Sequence, residues 1–187
     1  RDQPRSRGLG DVYKRQMLHE VRDLMRTRLR SNVAEHGDSN FWHWEPTFND
    51  CAVVVILDEI QNWITPAVKT KETKEKSEEF IAPVIDIVKK GRSAGITLIA
   101  MTQKPTTDAL PSVLCDNAAL KVAFRCSTPE MAKSALGSLP DGSSSPTAID
   151  FVQKGMSVMT MDSGMAEYVQ WDYLPESDIP ALLDAVR

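Results

Sequence analysis

Cysteine is scarce in this sequence: three among 187 residues, at Cys51, Cys115 and Cys126. They are odd in number, widely spaced and form no C-x-x-C pair, which excludes a disulfide framework or a zinc knuckle. A reducing, cytoplasmic setting is expected. Long apolar runs are also missing. No stretch approaches the roughly 18–20 apolar residues that cross a bilayer. Any association with the inner face of a membrane is therefore expected to come through a segment this chain does not carry. Nor is there an excess of positive charge. The balance of 22 Lys and Arg against 26 Asp and Glu gives a net charge of −4. That excludes a surface coated in basic residues, but not a local nucleic-acid face. No internal repeat is evident. What remains is ordinary for a globular protein, with 42% hydrophobic and 26% charged residues. The length suffices for one α/β domain with a sizeable core.

One stretch organises the rest. Cys51–Glu59 reads CAVVVILDE, a β-branched apolar run ending in two adjacent carboxylates. Such a run predicts a strand buried on both faces, as in a parallel sheet. Paired acids at a buried strand end are costly unless a cation meets them. Ligands of open α/β sheets bind outside the carboxyl ends of the strands. Asp58 and Glu59 thus stand where a metal–phosphate site would form. The alternative is an ordinary strand ending in a solvated turn.

The chain before this strand is of two kinds. Residues 1–16 are polar, basic and aperiodic, and Asp11–Gln16 (DVYKRQ) looks like a translated sequencing adapter. We expect them to be a non-native tail on a truncated chain, with a disordered basic arm as the alternative. Met17–Arg30 predicts a helix with Leu18, Val21, Leu24, Met25 and Leu29 on one face. Arg22, Arg26, Arg28 and Arg30 are expected mostly on the other, solvated face. Ser31–Asp50 predicts a loop whose Phe41, Trp42, Trp44 and Phe48 cap the core, or alternatively stack on bases.

After the acidic strand end, residues 61–77 predict a polar loop leading into a helix over Glu72–Lys90. Pro83 should kink it or restart it, and Gly91 should end it. A second strand is expected at Ile96–Met101, making a right-handed βαβ unit with the first. A short helix near Pro111–Asn117, a strand at Ala119–Arg125 and a helix capped by Ser127 or Thr128 follow. Leu139–Thr147 predicts a mobile, solvent-exposed loop. Met156–Met161 and Glu167–Tyr173 predict a hairpin around Asp162–Gly164. Ser177–Val186 predicts a capped terminal helix.

Asp58-Glu59, Gln103 and the turn bearing Arg92 are expected to gather at the strand carboxyl ends. An Asp there holds Mg²⁺, usually through water. A following Glu polarises an attacking water. A Gln on the neighbouring strand donates to a phosphate or orients that water. An Arg projected from the surface stabilises transition-state charge, commonly on a neighbouring subunit's nucleotide. The alternative for Arg92 is structural, binding helix carbonyls or an acidic neighbour.

The segments VVVILDEIQ, KKGRSAGITLIAMTQKPTTDALP, KVAFRCS and KGMSVM together resemble the motor domain of FtsK/SpoIIIE-like DNA translocases. They are similar to branches carried by plasmids and other mobile elements. The match runs from about Met17 to Tyr173, the C-terminal half of a RecA-like P-loop NTPase core. The resemblance implies an ATPase that uses ATP and Mg²⁺ to move double-stranded DNA, assembled as a homo-oligomer, commonly a hexamer. It implies Asp58 as the Walker B aspartate and metal-holding residue, and Glu59 as the catalytic glutamate. It implies Gln103 as phosphate sensor, with Lys104 in the TQ-R/K-P motif, and Arg92 as a finger acting in trans.

One departure matters. No G-x-x-x-x-G-K-[ST] occurs in the chain, so it does not supply the backbone cradle and lysine for phosphate. The implied strand order, 5-1-4-3-2, places the P-loop strand between those at Ile96–Met101 and Ala119–Arg125. The fold expected here is therefore an incomplete RecA-like α/β core with two unpaired inner edges. The isolated polypeptide is expected to be unstable and to bind ATP poorly. A motor for protein substrates, as in type VII secretion ATPases, is the alternative function. A non-catalytic interaction module is disfavoured by the intact set of Asp58, Glu59, Gln103 and Arg92.

Overall fold

The computed structural model describes residues 4–44, 47–64, 70–106 and 111–185, with side chains from residue 12 onward. Residues 65–69, within the loop expected over 61–77, and residues 107–110, within the TTDAL after Pro105, lie outside the described residues. The chain divides into two compact units, Arg1–Ala118 and Ala119–Arg187.

In the first unit, helix α1 (Pro4–His36) precedes strand β1 (Val53–Leu57), short helix α2 (Gln61–Ile64) and helix α3 (Lys71–Lys90). Strand β2 (Ile96–Ala100) and helix α4 (Ser112–Asn117) complete it. β1 and β2 pair in parallel, from Val53 opposite Ile96 to Leu57 opposite Ala100. This is the βαβ unit expected from the spacing. Leu18 and Met25 of α1 and Phe80, Val84 and Ile87 of α3 pack against Val55, Leu57 and Ile96. Each such side chain contributes about 1.5–3 kcal/mol of burial.

Among the described residues only one face of this strand pair is covered. Val54 and Ile56 are 58% and 61% exposed, and Ile99 is 43% exposed. The expectation of burial on both faces fails here because α1 and α3 feed the same core, to which Val53, Val55 and Leu57 of β1 and Ile96 and Leu98 of β2 point.

α1 is much longer than the 17–30 helix predicted. It begins at Pro4, so the adapter-like segment is helical rather than a disordered arm. Once a turn is nucleated, each added residue gains a hydrogen bond for little further ordering. Lys14 lies over the Trp63 ring at 3.6 Å, and Arg15 pairs with Glu79 at 3.2 Å. Arg28 was expected in solvent and is buried instead. Its guanidinium donates to the carbonyls of Ala94 (3.0 Å) and Cys51 (2.9 Å) and lies 3.4 Å from Asp50. It thereby ties α1 to the entrances of both strands. Leu24, expected in the core, is 38% exposed.

α3 starts with a capping box between Thr70 and Thr73. It runs as one helix through Pro83, with no restart there. The glycines of the GRSAG turn have separate reasons. Gly91 ends α3 in a right-handed conformation, and a Cβ there would meet the carbonyl oxygens of Ile87 at 2.6 Å and Ile96 at 2.8 Å. Gly95 is left-handed (φ +72°), and a Cβ would strike the Phe41 ring at 2.4 Å. Phe41 is fully buried, the core cap expected of this aromatic cluster, while Phe48 is almost fully exposed.

The second unit holds strand β3 (Val122–Phe124), helix α5 (Pro129–Leu136), strands β4 (Met156–Thr160) and β5 (Ala166–Gln170), and helix α6 (Ile179–Ala185). The sheet is antiparallel in order β3-β4-β5, with β4–β5 as the expected hairpin. Thr128 caps α5 by accepting from the Met131 amide, as the sequence predicts. Residues 139–147 are more restrained than expected. Pro146 is buried, Ser144 donates to the Ala166 carbonyl at 2.8 Å, and the Pro146 carbonyl accepts from Cys126 at 3.1 Å. Among the described residues no helix is long and apolar enough to cross a membrane.

Candidate functional site

The acidic end of β1 turns sharply. Glu59 is the sole non-glycine with positive φ (51°) among the described residues. This left-handed conformation costs on the order of 1 kcal/mol or more and persists only when neighbours enforce it. Here Ile60 enforces it: its side chain is fully buried and its amide donates to the Met101 carbonyl at 3.0 Å. The Met101 amide in turn donates to Leu57 at 2.9 Å. These bonds lock the Asp58–Ile60 turn to the end of β2.

The result brings Asp58, Glu59 and Gln103 together. The Gln103 amide donates to Oε1 of Glu59. Oδ1 of Asp58 accepts from the Glu59 backbone amide at 2.9 Å, and the carboxylate is otherwise exposed. Glu59 is half-buried and Gln103 exposed. Two residues outside the predicted set join them. Gln61 donates to Oε2 of Glu59, and Thr102 donates to Oε1 of Gln61 at 2.5 Å. Both lie inside the segments that carry the motifs, but nothing in their spacing shows that they meet.

Arg92 is not part of this cluster. It sits in the 3-10 turn Arg92–Ala94, before β2, whereas Gln103 follows β2. The five residues of β2 separate the two ends by about 16 Å. Strand direction already implies this, since the turn precedes Ile96. Arg92 is exposed, and among the described residues its guanidinium makes no hydrogen bond or ion pair. Its carbonyl accepts from Trp42 Nε1 at 2.7 Å.

The acid cluster can accept hydrogen bonds from a cation's hydration shell or take a proton from water. Asp58 keeps one carboxylate oxygen without a protein partner among the described residues, as a cation-bound water would need. The phosphate cradle is not among these residues. A group with metal-ligand geometry, Glu35, His36 and Asp50, lies elsewhere in the first unit, and Asp58 and Glu59 are not part of it. Its Asp50 is already shared by Arg28 at 3.4 Å and His36 at 3.3 Å.

No protein-family model matches the chain, and no curated protein matches it in sequence. Solved structures do match in fold. One is the pCW3 conjugation coupling protein TcpA, in its monomer form with ATPγS. It aligns at a TM-score of 0.72 and 16% identity over 95% of this chain and 49% of that one. Another is the cytoplasmic domain of the type VII secretion ATPase EccC of Thermomonospora curvata. It aligns at a TM-score of 0.58 and 14% identity, over 86% of this chain and 18% of that one. The chain thus shares its fold with part of each of these two proteins, spanning about half of TcpA and 18% of the EccC chain.

Proposed function

We propose that this chain belongs to an ATP-hydrolysing motor that translocates double-stranded DNA, of the kind that moves plasmid or conjugative DNA. The observation that carries the proposal is the bond from Gln103 to Glu59 beside Asp58, at the carboxyl ends of paired parallel strands. The fold likeness to a conjugation coupling protein supports it. So does the bare apolar face of β1 and β2, which suits a parallel sheet whose second face is covered by further elements.

When bound, ATP with Mg²⁺ supplies a γ-phosphoryl group open to in-line attack by water. Asp58 would hold the Mg²⁺ through its hydration shell. Glu59 takes a proton from the attacking water. Gln103 reports the phosphate by donating its amide hydrogen. Arg92, unpaired among the described residues and at the opposite strand end, serves the site of a neighbouring subunit in a homo-oligomer, a hexamer by the resemblance.

The decisive experiment uses the protein expressed from its complete native reading frame. Hydrolysis should rise on adding double-stranded DNA, and Glu59→Gln should abolish hydrolysis while retaining ATP binding. Substantial turnover by that variant would refute the role of Glu59. The likeness to EccC favours one second reading, a motor for protein substrates. Turnover indifferent to DNA but stimulated by a secreted protein would select it. The 187-residue chain alone should bind ATP poorly, and micromolar affinity with cooperative melting would sink that expectation.

A further inference from the structure

We infer that Gln61, oriented by Thr102, is a positioning residue that fixes the Glu59 carboxylate through Oε2 and leaves Oε1 to Gln103 and to water. The inference rests on the proposed ATPase reading for its catalytic consequence, though not for its geometry.

The direction of each bond follows from chemistry. An ionised carboxylate only accepts, so the group that Gln61 presents to Glu59 is its NH₂. The Gln61 carbonyl oxygen therefore faces Thr102, whose hydroxyl must donate to it. The Thr102 oxygen accepts from the Lys104 amide at 3.1 Å. Four groups are thus aligned in one sense, from Lys104 through Thr102 and Gln61 to Glu59. Chains of this kind polarise one another and hold a single arrangement.

The two hydrogen bonds on Glu59 differ in exposure. Gln61 is 9% exposed and begins α2 directly after the buried Ile60. Gln103 is exposed. Water or a phosphate can compete for Gln103 and so free Oε1, while Oε2 stays anchored. A carboxylate held by one oxygen presents the other in a fixed direction, as proton transfer from an attacking water requires. A Glu side chain on a left-handed backbone position would otherwise sample several rotamers. Thr102 is the link that makes the end of β2 report on Glu59, because the same three residues, Thr102 to Lys104, carry both the anchor and Gln103.

The test uses the protein expressed from its complete native reading frame. Gln61→Glu preserves shape and the acceptor for Thr102 but removes the donor to Glu59. It should lower kcat about tenfold or more while the ATP Kd stays within about twofold. Thr102→Val should lower kcat about threefold to fivefold, and Thr102→Ser should restore most of it. A kcat within twofold of wild type for Gln61→Glu overturns the inference, as does an equal loss in Thr102→Ser and Thr102→Val. Side-chain amide NMR signals give a readout independent of turnover and of the Gln61→Glu fold. Glu59→Ala should shift the Gln61 and Gln103 amide resonances, and Thr102→Val that of Gln61. Unmoved Gln61 signals in both variants overturn the anchor. A wild-type protein without ATPase activity overturns the catalytic consequence and the ATPase reading together, while the amide signals still decide the anchor.

Discussion

In the first unit, Arg1–Ala118, two long helices cover one face of a parallel strand pair, and the strand ends converge on Glu59. In the second, Ala119–Arg187, three short antiparallel strands and α5 enclose a smaller cluster around Val158, Leu136 and Ile149. The difference teaches where chemistry can be built. Parallel strands bring their carboxyl ends to the same side, so residues following β1 and β2 meet there. An antiparallel hairpin alternates its ends, and its turn residues, such as Asp162, stand in solvent.

The largest effect that would break this contrast is catalytic. On the proposed ATPase reading, Glu59→Gln in the complete protein should lower the hydrolysis rate by about 10²–10⁴-fold, the usual loss of a general base. Asp162→Asn, a carboxylate change in the other unit, should leave it within about twofold. A comparable loss from both would dissolve the distinction.

Stability comes next. Phe80 is 3% exposed and stacks on Trp63 with ring centroids 5.6 Å apart. Phe80→Ala should destabilise the first unit by about 3–5 kcal/mol. Leu136, 2% exposed, anchors the smaller cluster, and Leu136→Ala should destabilise the second unit by about 2–4 kcal/mol. Hydrogen exchange resolved by residue should place each loss in its own unit. Equal loss of protection in both would mean that they unfold as one.

Thiol chemistry offers a gentler probe. Cys51 is exposed in the first unit, and Cys126 is buried in the second. Burial pushes the Cys126 thiol above its ordinary pKa, and its Sγ lies 3.5 Å from the Phe124 carbonyl. Iodoacetamide at neutral pH should therefore modify Cys51 at least about tenfold faster. Mass spectrometry of the alkylated peptides checks this, and Leu136→Ala should narrow the gap.

The smallest effect concerns acid. The Lys90 ammonium bonds Asp86 at 3.0 Å and holds it below the ordinary carboxylate range, against a smaller opposing effect of burial. Arg26 adds to the lowering from 2.9 Å. A carboxylate depressed on folding contributes stability above its unfolded pKa of about 3.9, and that contribution fades as pH falls through the folded value. Asp86→Asn should thus cost at most about 1 kcal/mol near neutrality. The gap from wild type in thermal melts should close below about pH 4. A gap that widens in acid would contradict the assignment.

Much of the fold was readable because its signals are local. The run VVVIL is β-branched and apolar, and the i, i+4, i+7 spacing of Phe80, Val84 and Ile87 marks the buried side of α3. Thr128 lies one residue before Pro129 and caps α5 for reasons internal to that segment. The misreadings share a cause too. Arg28 follows Met25 by three residues, so it belongs to the apolar face, and a charge count alone assigns it to solvent. Pro146 and Ser144 sit in a Gly/Ser/Pro loop that composition marks as mobile, yet β5 and the chain after β3 supply its backbone partners.

By itself, then, the sequence determined the βαβ unit, the acids after β1 and the glutamine after β2, because periodicity and strand-end residues act over a few positions. Tertiary structure alone decided that the helices cover a single face of β1 and β2. It also decided that Arg28 holds both strand entrances, and that Glu59 is gripped by Gln61 as well as Gln103. Thr102 and Gln61 are 41 residues apart, and their bond exists only because parallel register sets Leu57 beside Ala100. Such partnerships depend on how two segments are aligned and turned against each other, which no local pattern in either segment records.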